Sequence, residues 1–255
     1  MKRACLVFVL FLSAGLPALA DDWATTGKGG SAGNLTPAQI EAAWVDMPKY
    51  EAGQDQKALL AMNWVVINAM NDANQRAATA ARLAKVLQDP ATTPAARQYI
   101  CAQLFQIGTD AEVAAVAPML LDPATSDNAR LFLERVKSEA AIGALRAALD
   151  KLQGRPLTGV VNSLSIVRDP ASVDRIVALT KSDDPMVALA AWRALGNFGS
   201  LPVADFLIGA LKEADKAFAP MESAAVRTAI LLESAGKQEK AMEIYHLLTG
   251  GGRSL

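Results

Sequence analysis

The sequence predicts an all-α protein, an α-solenoid of stacked antiparallel helical hairpins, and three observations carry that expectation. Apolar residues recur at three- and four-residue spacing across residues 57–248, and runs of alternating apolar and polar residues are few. The same apolar columns return roughly every thirty residues, a period that belongs to repeat architectures. Gly, Pro and Asp fall between the apolar segments, where helices start and stop. Of the 255 residues 52% are hydrophobic but only 5% aromatic, so Ala, Leu and Val must fill the core.

The chain opens with "MKRACLVFVLFLSAGLPALA", residues 1–20: two basic residues, an apolar stretch and the small-residue ending Ala18-Leu19-Ala20 before Asp21-Asp22. This is the layout of a secretory signal peptide cut between Ala20 and Asp21. The apolar run 6–12 is too short to span a bilayer, and Pro17 breaks the apolar segment beyond it. The expected product is exported, periplasmic or extracellular, with no stable membrane insertion after cleavage. Cleavage leaves Cys101 as the only cysteine, so no intrachain disulfide forms and stability must come from packing. It also removes Lys2 and Arg3 from the 25 basic residues, leaving 23 against 26 acidic ones, a net charge of −3. No basic cluster of the kind nucleic acid requires is present.

Residues 21–35 are rich in Gly, Ser and Thr and read as a flexible lead-in. Thr36-Pro37 then supplies a capping hydroxyl and a proline, a helix start, and the solenoid is placed at 36–250, with 251–255 as a tail. Its hairpins are expected at about 55–89, 93–122, 124–152, 155–183, 185–215 and 220–249. Four of them align. Leu104, Leu133, Leu164 and Leu195 lie 29, 31 and 31 residues apart, and three residues on come Ile107, Val136, Val167 and Phe198. In the second helices the columns are Val113, Ile142, Val173, Ala204 and Val116, Leu145, Ile176, Leu207. Agreement in two helices over four copies makes each copy a packing unit. Asp-Pro at Asp89, Asp122, Asp169 and Asp184 is expected to cap and start helices.

The segment Ala190-Ala191-Trp192-Arg193-Ala194-Leu195-Gly196-Asn197-Phe198-Gly199 resembles the "AAxALGxxG" ending of the first helix in short bacterial HEAT-like repeats, and Gln103 to Gly108 matches it in part. Lys137 and Arg168 stand where that pattern has its terminal Gly. The resemblance implies a right-handed, armadillo-type superhelix and a role in binding proteins. HEAT-repeat modules of bacterial envelope proteins are often coupled to enzymes or cytochromes. Leu232, Gly236, Ala241 and Tyr245 in the last hairpin also resemble half of a tetratricopeptide repeat, another hairpin that binds partners.

No catalytic or metal-binding set is visible, and no cofactor is expected. His246 is the only histidine and has no cysteine partner or acid cluster beside it. The absent Cys-x-x-Cys-His motif excludes covalent c-type haem. Cys101 reads as a residue near the hairpin seam, since its column holds Arg130, Val161 and Trp192. Asp183-Asp184 reads as a cap, and Glu134, Glu139 and Glu213 as solvated charges on outer faces. "GKGGSAG" lacks the ending a phosphate loop needs.

The column Glu112, Ala141, Ser172, Val203, read as the exposed ridge of the second helices, holds no ladder of charges or rings, so partner recognition must be irregular. Trp44, Tyr50 and Trp64, in the aromatic region made by the lead-in segment and the first hairpin, and Tyr245 of the last hairpin are the candidate partner-contact residues; for the first three, burial is the competing reading. The function these features point to is a non-enzymatic, exported protein-interaction scaffold. The alternative is an accessory module docking onto an exported enzyme or a redox (cytochrome) complex.

Overall fold

The computed structural model describes residues 35–214 and 218–250. The signal peptide, its cleavage site, the lead-in as far as residue 34 and the tail lie outside the described residues. The chain divides into two compact units, Met1–Pro37 and Ala38–Leu255, and all the helices below lie in the second apart from Pro37 itself.

Among the described residues the chain is helical throughout, without strands. Helix α1 (Pro37–Asp46) is followed by a 3-10 turn, Met47–Lys49. Helices α2 (Lys57–Ala69) and α3 (Ala73–Gln88) form the first hairpin. In the second, α4 (Pro94–Ile107) is followed by a broken partner: 3-10 Asp110–Glu112, α5 (Val113–Val116) and 3-10 Ala117–Leu121, where Pro118 interrupts the α pattern. Then come α6 (Ser126–Val136) with α7 (Glu139–Ala148), and α8 (Gly154–Val167) with 3-10 Pro170–Ser172 and α9 (Val173–Leu179). The last two hairpins are α10 (Pro185–Leu195) with α11 (Leu201–Glu213), and α12 (Ala219–Ser234) with α13 (Gln238–Leu248).

The first helices α2, α4, α6, α8, α10 and α12 form one layer in which each touches the next, and each second helix bridges to the first helix of the following hairpin. This is a solenoid of stacked hairpins, stabilised mainly by neighbour interfaces. The repeat columns are its core: Leu104, Leu133, Leu164 and Leu195, with Val116, Leu145, Ile176 and Leu207 opposite, are all fully buried. One apolar cluster runs from Ala43 to Ala224, and a second, from Ala204 to Leu247, serves the last two hairpins.

The turn within each hairpin shows a regularity that residue types conceal. The fourth position after the column leucine is left-handed at Lys137 (φ 55°), Arg168 (φ 56°) and Gly199 (φ 58°), whereas Gly108 is extended with φ −68°. The two copies without a glycine there therefore make the left-handed helix end with a long basic residue, at a steric cost of about 1 kcal/mol each. Lys137→Gly and Arg168→Gly are each expected to raise stability by up to about 1 kcal/mol, read from the urea midpoint. A fall would show that the side chains compensate. Gly199→Ala should go the other way, because its Cβ would stand 2.6 Å from Cβ of Leu231.

The next position carries a capping residue type in every copy: Thr109, Ser138, Asp169 and Ser200. Thr109 and Glu112 form a reciprocal capping box, and Ser138 accepts from the Ala141 amide at 3.1 Å. The Asp-Pro expectation needs correction. Asp184 does cap α10, accepting from the Met186 amide at 2.9 Å. Asp89 and Asp122 instead hold turns through the amides two residues on, Ala91 and Ala124, and the helices start only at Pro94 and Ser126. Asp169 makes no side-chain cap hydrogen bond, and its carboxylate is held by Arg146.

Candidate partner-binding surfaces

The aromatic residues of the N-terminal region divide between packing and surface. Trp44 on α1 is 7% exposed; its ring lies 4.2 Å from the guanidinium carbon of Arg82, which α3 supplies. Arg82 in turn holds Glu41 in a bidentate pair, at 3.0 and 2.8 Å, and keeps that carboxyl below its ordinary pKa. Trp44 thus anchors α1 to the first hairpin. Tyr50 is half-buried, and its carbonyl accepts from the Thr93 hydroxyl. Tyr245 is half-buried on α13, its hydroxyl donating to Glu233 at 3.4 Å, and so lies on the last hairpin, far along the stack from the other three.

Trp64 belongs to a surface feature. Leu60, Trp64, Ile67 and Met70 succeed one another at spacings of 4, 3 and 3 and so share one face of α2. Leu60 and Ile67 are each 50% exposed and Met70 40%, with Trp64 half-buried between them. On its other side α2 packs against α4 in the first-helix layer. The apolar stripe is thus left partly exposed by the described helices.

The column Glu112, Ala141, Ser172, Val203 is not an exposed ridge. All four residues are buried, because the first turn of each second helix is tucked under the turn that ends its partner. Glu112 is satisfied there by the Thr109 amide at 2.7 Å and the Thr109 hydroxyl at 3.2 Å. Of the acidic residues expected on outer faces, Glu139 lies 3.7 Å from Arg146 and Glu213 is exposed. Glu134 departs from the expectation: it is half-buried, with one carboxylate oxygen covered and without a partner among the described residues.

A second surface feature has no counterpart in the repeat columns. A cleft of about 440 Å³ opens between α11 and the turn joining α9 to α10. Trp192 of α10 stacks on Phe206 of α11 at 5.7 Å between ring centroids, and Phe218 meets Trp192 edge-on at 6.1 Å. Lys181 stands on one rim, Asp205 and Glu213 on the other. A signal for it does exist in the sequence. In a chain with only fourteen aromatic residues, Trp192, Phe198, Phe206 and Phe218 fall within one short stretch.

Cys101 is fully buried in α4, and burial pushes its thiol up to about 12. Thiol reagents at neutral pH are expected to label it only at the rate of unfolding. Stoichiometric labelling of the folded chain within minutes would refute that burial. His246 is exposed on α13, and among the described residues no group of three or more His, Cys, Asp or Glu is placed to hold a metal ion. Nor is any helix among them long and apolar enough to cross a membrane.

Fold and packing columns together define an α-helical repeat protein, a solenoid of stacked hairpins. Residues 157–228, from α8 into α12, match the family model for HEAT repeats. Among solved structures the chain is similar to the complex of CpcE and CpcF of phycocyanin lyase from Nostoc sp. PCC7120. The identity is 16%, over 88% of this chain and 99% of that chain, with a TM-score of 0.46. No curated protein matches it.

Proposed function

We propose that this chain is an exported, non-enzymatic scaffold whose first hairpin binds a protein partner. The observation that carries the reading is the stripe Leu60, Trp64, Ile67, Met70 on the outer face of α2. The end unit of a solenoid ordinarily turns a polar face outward. Here the end face is apolar at helical spacing, the pattern into which an amphipathic helix of a partner packs. Export rests on the layout of residues 1–20.

The test is affinity capture with the mature chain, beginning at Asp21, from the envelope fraction of its source cells, run beside the double variant Leu60→Glu/Ile67→Glu. Both positions are half exposed, so the variant keeps its core. The reading predicts a partner retained by the parent chain and reduced at least about tenfold by the variant. Equal retention by the two chains, or none by either, overturns it. An accessory role would show as an exported enzyme or cytochrome among the captured proteins. The mass of the chain recovered from those cells checks export: loss of residues 1–20 supports it, and an intact N-terminus overturns it.

A further inference from the structure

The cleft beside α11 has a chemistry that selects its occupant. Its floor is aromatic, with Trp192 and Phe206 stacked, and Phe218 beside them is 48% exposed. Along one rim Asp205, Gly209 and Glu213 stand at i, i+4 and i+8, on one line of α11 and about 12 Å from end to end. The glycine leaves open the space between the two carboxylates: a Cβ placed there would have nothing within 4 Å. Asp205 is already engaged by Lys240 at 2.9 Å. Glu213 lines the cleft and has no ion pair or hydrogen bond among the described residues.

We propose that the cleft receives an arginine side chain presented by a protein partner, its guanidinium lying on Trp192 and donating to Glu213. This rests on the scaffold reading and adds a second contact with a stated chemistry. An aromatic floor takes the aliphatic stem and the flat face of the guanidinium, while the in-plane N–H groups remain free for a carboxylate at the rim. A lysine ammonium is a compact point charge without a flat face to lay on the ring. Lys181 on the opposite rim repels the incoming cation. The signs are therefore fixed: removing the Glu213 charge weakens an arginine ligand and removing the Lys181 charge strengthens it, whereas an anionic ligand shows both effects reversed.

The experiment titrates acetyl-Leu-Arg-Leu-amide into the ¹⁵N-labelled mature chain, tracking the indole N–H of Trp192 and the backbone amide of Gly209, with the Gln and Glu analogues of the peptide as controls. The arginine peptide is expected to move both signals. Its apparent Kd should rise roughly 2–5-fold in Glu213→Gln and fall in Lys181→Ala. Gly209→Leu, which fills the open space on a helix that tolerates a side chain there, should abolish the shift of the Trp192 indole while leaving Tm unchanged or higher. The proposal is overturned by an absence of shifts up to about 20 mM peptide, by equal binding of the Gln or Glu peptide, or by binding that survives Gly209→Leu. Such a failure leaves the α2 face untouched, because that face is tested by different residues and a different readout.

Discussion

Leu195→Asp is expected to destabilise the chain by about 4 kcal/mol or more, whereas Asn197→Asp, two residues away, should cost under about 1 kcal/mol. Leu195 is fully buried in the leucine column between α8 and α12. Aspartate there removes the apolar contacts and places a carboxylate where no partner can reach it. Asn197 lies in a half-exposed polar ladder: its amide nitrogen donates to the Ser165 hydroxyl at 3.2 Å, and its carbonyl oxygen accepts from Arg227 at 3.0 Å. Aspartate keeps the acceptor for Arg227 and gives it a charge, so the lost donor to Ser165 is partly offset. Because solenoids open unit by unit, the damage should concentrate in the hairpins flanking α10. Urea unfolding with native-state hydrogen exchange separates the two variants. Equal loss from both would mean that the column assignment is wrong.

The second large effect is expected at Arg146. Its guanidinium, in the last turn of α7, holds Asp169 with two hydrogen bonds of 2.9 and 2.7 Å, and the aspartate side chain is only 3% exposed. Arg146→Met leaves that carboxylate buried without its counter-ion, at a cost of about 3–5 kcal/mol at neutral pH. The direction of the pKa shift sets the pH dependence. Hydrogen bonding to Arg146 is the largest cause holding the Asp169 carboxyl below its ordinary pKa. A group depressed in the folded state stabilises it above the unfolded pKa, and that contribution is lost as pH falls through the folded value. The gap between parent and variant should therefore be widest at neutral pH and shrink as the solution is acidified below about pH 4. A gap of constant size from pH 7 to pH 3 would show that the pair does not carry the effect.

Features that repeat are legible from residue types, and features made by single residues far apart are not. Leu104, Leu133, Leu164 and Leu195 can be placed in one buried column because each hairpin meets the same neighbours, so the same requirement returns at every period. Lys137 and Arg168 cannot be recognised as left-handed helix ends, since their types argue against that conformation and only the packing of the flanking helices imposes it. The column through Glu112 and Ser172 reads as surface because it lies beside the apolar columns; all four members are buried, and a capping box and a buried turn satisfy the polar ones. Asp169 carries a plain capping motif, yet its strongest partner is Arg146, 23 residues earlier, whose guanidinium supplies two charge-assisted bonds.

The candidate surfaces divide along the same line. Spacing alone puts Trp64 among the apolar residues of the first hairpin, but its half exposure depends on α2 being the end of the first-helix layer, a fact of stacking. The cleft draws on Lys181, Trp192, Gly209, Glu213 and Met221 from three hairpins, and nothing periodic links them. By itself the sequence determined that this chain is helical, repetitive and packed through leucine columns, because helix period and repeat period are local properties of the chain. Only the tertiary structure decided which aromatic rings are covered, which carboxylates are paired and which apolar faces stay open. Those outcomes depend on which distant side chains meet when the hairpins stack.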